Sequence, residues 1–133
     1  MGMQIERNSI VWAALGYKTG RVQSGMRPCL VVSCNVANRK SPIYTVIPGT
    51  SRMEVNLFPV HCAVCQQDVK GCLNQKTTFM VEQICTIDKR QVMGVIGRVT
   101  NEEVLEKIDS MILRQLGIAP AVSKTEEGVA VNG

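Results

Sequence analysis

The chain has 133 residues, 45% of them apolar and 20% charged, with a formal net charge of +4. That length supports one compact domain around a single core and excludes a second independent one. No arginine- or lysine-led apolar stretch resembling a signal peptide opens the chain, and its apolar runs are strand-sized, short of the roughly 20 residues that span a bilayer. The expectation is a cytoplasmic protein with no membrane partner.

Along the chain, Ile10 to Leu15 is a short apolar run closed by Gly16, which predicts a strand followed by a long loop from Tyr17 to Gly25. Cys29 to Cys34 is continuous and rich in β-branched residues, as in a strand buried on both faces. Ile43 to Pro48 predicts a third strand and Val60 to Val64 a fourth, with Thr77 to Ile84 and Val95 to Val99 as two more. Short strands punctuated by Gly and Pro suggest a small barrel or a strongly curved sheet. The sequence Thr100-Asn101-Glu102-Glu103 has capping-box spacing, with Thr100 as the cap. Behind it Val104, Ile108, Met111, Ile112 and Leu116 form one apolar stripe of a helix that Gly117 stops. Residues 1–118 therefore read as the domain, and 119–133, where the pattern dissolves, as a flexible tail.

Two distributions carry functional weight. Between Arg7 and Met53 stand seven basic residues (Arg7, Lys18, Arg21, Arg27, Arg39, Lys40 and Arg52) and no acidic one, so the first half can present a positive face to a polyanion. The six cysteines, Cys29, Cys34, Cys62, Cys65, Cys72 and Cys85, read as free thiols in a chain without an export signal. His61-Cys62-Ala63-Val64-Cys65 has the spacing of a zinc site, but a continuing strand sends side chains three apart to opposite faces. No metal is expected, and His61 reads as a half-buried strand residue.

Three blocks in register are specific. They are Gly20-Arg21-Val22-Gln23-Ser24-Gly25-Met26-Arg27-Pro28, then Asn38 to Pro42 leading to Pro48-Gly49-Thr50-Ser51, and Glu82-Gln83-Ile84-Cys85-Thr86-Ile87-Asp88-Lys89. Their order and spacing from about Ile10 to Ile118 resemble the MazF/PemK (Kid-like) toxins of type II toxin-antitoxin systems.

The resemblance implies a mainly β fold with a C-terminal helix, an SH3-like small barrel that forms a homodimer. It also implies an endoribonuclease that cuts single-stranded RNA without a metal, using the ribose 2'-hydroxyl as nucleophile, and a MazE-like antitoxin partner. The family's catalytic arginine maps onto Arg27, whose guanidinium can fork onto two phosphate oxygens. Its catalytic-site threonine maps onto Thr50. Arg21, Gln23, Ser51, Arg52, Glu82 and Gln83 fall where RNA contacts are expected, and Glu82 is also a candidate acid or base.

Departures from the family pattern limit the proton chemistry. Arg21 and Val22 stand where many relatives carry Ser or His followed by Glu, which excludes a histidine acid or base there. Met80 replaces an arginine of the Kid-like branch, bringing the set closer to the Arg/Thr pattern of the MazF branch. Two alternatives on the same fold stay open, a CcdB-like gyrase-binding poison and a catalytically silent binding module. The few aromatic residues, one Trp, two Tyr and two Phe, leave recognition mainly to hydrogen bonds and phosphate contacts.

Overall fold

The computed structural model describes residues 4–52 and 60–118. Its strands are β1 (Ser9–Ala14), β2 (Met26–Val31), β3 (Ile43–Thr50), β4 (His61–Val64), β5 (Val69–Gly71), β6 (Thr77–Met80), β7 (Cys85–Asp88) and β8 (Val92–Val99). Two helices accompany them, α1 (Asn35–Lys40) and α2 (Glu102–Gln115). The sheet is antiparallel and ordered β4-β6-β3-β2-β1-β8-β5, with β7 also pairing with β3. This is the mainly β fold with a C-terminal helix that the sequence led us to expect.

Alternation divides the sheet's side chains between two cores. Ile10, Leu30, Ile47, Phe79 and Val99 face one, which α2 covers with Ile108 and the partly buried Val104, Leu105, Met111 and Ile112. Val11, Ala13, Cys29, Val31, Tyr44 and Val46 face the other. The run Cys29-Leu30-Val31 is fully buried because both of its faces are covered, as its continuous apolar pattern predicted.

Several boundaries differ from the sequence reading. The second strand starts earlier, at Met26, and ends at Val31, while Cys34 lies outside it as the residue preceding α1. Helix α1 was not expected; its buried Asn38 donates to the Ser33 carbonyl at 2.8 Å, and Lys89 Nζ donates to the Asn38 carbonyl at 2.6 Å. Strand β6 ends at Met80, and Val81–Gln83 form a 3-10 turn before β7.

The helix cap is also corrected. Asn101, not Thr100, caps α2, its Oδ1 accepting the Glu103 N–H at 2.9 Å. Thr100 is occupied elsewhere, its N–H donating to the Asp68 carbonyl at 2.9 Å. Asp68 fixes the cap in turn, since its Oδ1 accepts from Asn101 Nδ2 at 2.8 Å. The helix ends with Gly117 at φ +71° and the bonds Gly117 N–H to Arg114 and Ile118 N–H to Leu113, which leaves Leu116 exposed and off the buried stripe. The tail expected from residue 119 onward lies outside the described residues.

One contact closes the β5 edge. Gly71 pairs with Gly97 so tightly that a Cβ on Gly71 would lie 2.5 Å from the Gly97 Cα, and φ at Gly71 is +143°. Phe79, fully buried in the first core, is the largest wholly enclosed side chain among the described residues. Phe79→Ala should lower unfolding free energy by about 3–5 kcal/mol in urea denaturation; a loss below about 1 kcal/mol would mean the core collapses around the gap.

Candidate active site

The site begins where β2 and β3 separate. Their last paired rung is Cys29 with Pro48. Two residues further along each strand stand Arg27 and Thr50, on the same face as Cys29 and Pro48 because side-chain direction repeats every second residue. Beyond that rung, among the described residues, β3 keeps a partner only on its other edge, where it pairs with β6 through Gly49–Phe79 and Thr50–Thr78.

Arg27 is held by one bond, Nε donating to the Ser24 carbonyl at 3.0 Å. Among the described residues its two terminal NH2 groups take no hydrogen-bond partner, which leaves the guanidinium fork to present to an anion. The Thr50 hydroxyl is buried and accepts the Arg52 N–H at 3.1 Å. With an oxygen lone pair engaged by that backbone donor, its own proton is available to donate. Ser51 and Arg52 are exposed beside it.

The opposite wall comes from a register irregularity. Between Val46–Cys85 and Gly49–Phe79, β3 advances from 46 to 49 while its partner runs from 79 to 85. The surplus residues form the 3-10 turn Val81–Gln83, which lifts Glu82 and Gln83 out of the ladder. Glu82 Oε2 lies 2.8 Å from Nε2 of His61, whose side chain is 6% exposed. His61 is therefore buried on β4, not half-buried, and it pairs with a carboxylate. Nothing local in the sequence signals this pair, because 21 residues separate its members. Gln83 engages the first loop with both ends of its amide: Oε1 accepts from Gln23 N and Nε2 donates to the Arg21 carbonyl, each at 3.2 Å. Arg21 itself is exposed.

The fold thus brings Arg21, Gln23, Arg27 and Gln83 into one constellation bonded through the first loop, while the carboxylate of the adjacent Glu82 bonds His61. Thr50, Ser51 and Arg52 stand at the adjoining end of β3. Met80, which stands where the Kid-like branch carries an arginine, is buried at 3% exposure and offers no proton chemistry. Cys62 packs into the first core, while Cys65 lies beyond β4 with its N–H donating to Asp68 Oδ2, so the two do not converge. No cluster of three or more metal-ligating side chains occurs among the described residues. A separate cavity of about 400 Å³ between α2 and the sheet, bounded by Arg7 and Asp109, shares no residue with the constellation.

The family model for PemK-like, MazF-like toxins of type II toxin-antitoxin systems matches residues 6–116. The chain belongs to the PemK/MazF toxin family. A curated relative, Endoribonuclease EndoA of Bacillus subtilis (strain 168), is 28% identical over 117 residues, covering 87% of this chain and 97% of its own length. Among solved structures, MazF (Form-I) from Deinococcus radiodurans superposes with a TM-score of 0.72 at 20% identity, covering 87% of this chain and 99% of that one. An endoribonuclease in complex with its cognate antitoxin from Mycobacterial species gives 0.67 at 23% identity, covering 89% and 98%. These structural likenesses show that the PemK/MazF fold extends across nearly the whole chain.

All six cysteines are free thiols. Burial pushes the Cys29 thiol up to about 12, assisted by Cys85 and opposed by the Arg27 charge. Cys85 is also raised by burial, with Lys18 opposing, whereas Cys34 and Cys72 are exposed. Since the thiolate is the reactive form, a thiol reagent at pH 7.5 should label Cys34 and Cys72 in the native protein and Cys29 only after denaturation. Native labelling of Cys29 at the rate of Cys34 would contradict its enclosure.

Proposed function

We propose that this chain is an endoribonuclease toxin that cuts single-stranded RNA, with Arg27 and Thr50 acting on the scissile phosphate. The observation that carries the reading is their shared level and face at the parting of β2 and β3, with the Arg27 fork uncommitted and the Thr50 proton free to donate. Family membership and the endoribonuclease name of the Bacillus subtilis relative support the choice of substrate.

The chemistry asked of the site is limited. The nucleophile is the substrate's own 2'-hydroxyl, so the 2'-O–P bond forms, the P–O5' bond breaks, and the products are a 2',3'-cyclic phosphate and a 5'-hydroxyl. One proton leaves the 2'-oxygen and one reaches the 5'-oxygen. The protein must hold the phosphate in line and offset the negative charge that grows on its oxygens. A guanidinium fork with two free arms suits that role, and the Thr50 hydroxyl adds a neutral donor. Glu82, whose Oε2 lies 2.8 Å from His61 Nε2 and whose side chain is 25% exposed, is the candidate for exchanging a proton or accepting a hydrogen bond from RNA. Arg21, Gln23, Ser51 and Arg52 line the approach, and none of these steps calls for a metal.

Two partners follow from the same reading. An antitoxin would cover Arg27 and its loop, in keeping with the antitoxin complexes solved for mycobacterial and Deinococcus radiodurans relatives. A homodimer is supported by Trp12, Met26 and Met93, which are 40%, 42% and 57% exposed. Trp12 pairs with Gly94, and Met26 pairs with Ala14, so the three lie on adjoining rungs of one sheet region.

The test is cleavage of a long unstructured RNA in excess EDTA, with the product ends mapped. Discrete cuts ending in cyclic phosphate are expected, falling by about 10²–10³-fold in Arg27→Ala and about tenfold or more in Thr50→Val. No cleavage by folded wild type would turn the reading toward protein binding on the same fold, and an undiminished Arg27→Ala would remove that residue from the chemistry.

A further inference from the structure

Both ends of the Gln83 amide are engaged by the first loop. Oε1 accepts the Gln23 N–H and Nε2 donates to the Arg21 carbonyl, both at 3.2 Å, so the carboxamide closes on the main chain of the first loop. We propose that Gln83 is a positioning residue: it clasps the Arg21–Gln23 segment and through it holds the Arg27 guanidinium in place. The inference rests on the ribonuclease reading above.

The geometry runs in sequence from a rigid support to the cation. At its neck the first loop is closed by Leu15 N–H to the Gly25 carbonyl at 2.8 Å and Gly25 N–H to the Gly16 carbonyl at 2.9 Å. Between those ends, among the described residues, residues 17–24 bond to other elements only through the Gln83 clasp and the Arg27–Ser24 bond. Ser24 directly follows Gln23, so a displacement of the clasped segment moves the carbonyl that orients Arg27. The clasp is itself braced. Val81 is fully buried and donates its N–H to the Val60 carbonyl at 3.0 Å, and Glu82 is tied to buried His61. A loop of eight residues would otherwise retain much of its backbone entropy, at roughly 1–2 kcal/mol per residue, and Arg27 would share its spread of positions. Gln83 is suited to the task because one planar amide offers an acceptor and a donor to two main-chain groups of opposite character.

The experiment compares wild type with Gln83→Met, which keeps the chain's bulk but removes both bonds, and with Gln83→Ala. In RNA-free protein, NMR hydrogen exchange of the Gln23 amide and of Arg27 Nε–H should quicken in both variants. With RNA, kcat should fall by roughly tenfold. Affinity for an uncleavable RNA carrying 2'-deoxyribose at the cut site should change by less than about threefold, because the lost bonds are internal to the protein. If affinity instead falls in step with kcat/KM while both exchange rates stay at wild-type values, Gln83 is a direct RNA contact and the proposal is overturned. Unchanged exchange together with unchanged kcat overturns it equally. Should wild type cleave no RNA, the ribonuclease reading fails while the exchange comparison still decides whether the clasp exists.

Discussion

The site depends on how β3 divides its two edges. One edge is paired with β2 and the other with β7 and then β6, and at Ile47 and Pro48 that second edge is interrupted. Pro48 has no N–H to give a ladder, and a proline inside a sheet is tolerated where pairing is broken or bulged. The inserted turn Val81–Gln83 occupies that break. It lifts Glu82 and Gln83 out of the ladder, so the wall they form arises from this irregularity, while Arg27 and Thr50 stand at the parting of β2 and β3 on the other edge.

Burial on both faces of the sheet sets the remaining constraint. Because Cys29 and Val31 fill one core and Leu30 the other, β2 cannot slip by a residue without reversing all three. Arg27 inherits its direction from that registry. Thr50 inherits its own from Val46 and Ile47 in the same way, and at 8% exposure it is nearly enclosed. The chemistry at the mouth of the sheet is thus oriented by apolar packing that begins two residues away.

What could be read in the sequence was what repeats. The β-branched run from Cys29, the stripe Val104, Ile108, Met111 and Ile112, and the stop at Gly117 each have a period or a dihedral requirement that residue type reports directly. Helix α1 spans only six residues, too few to establish a period, and its stability rests on Asn38 reaching Ser33 and on Lys89 from the 3-10 turn after β7. The α2 cap went to Asn101 because Asp68, 33 residues earlier, engages Thr100 and Asn101 together. Arg27 and Thr50 were singled out through motif resemblance, whereas the His61–Glu82 pair and the two-ended bonding of Gln83 arise from contacts spanning 21 and about 60 residues. Residue spacing carries no trace of such contacts.

The bonds around the first loop share one further property. On the loop's side they use peptide groups: the Arg21 carbonyl, the Gln23 N–H and the Ser24 carbonyl. Every residue except proline supplies the same peptide donor and acceptor, so the framework places little demand on which side chains the loop bears. Changing the side chain of Arg21, Val22 or Ser24 therefore leaves these bonding groups in place, whereas Arg27 and Gln83 bond through side-chain atoms. A lineage built on this scaffold can rewrite the side chains of this loop while keeping the main-chain bonds that hold it in place.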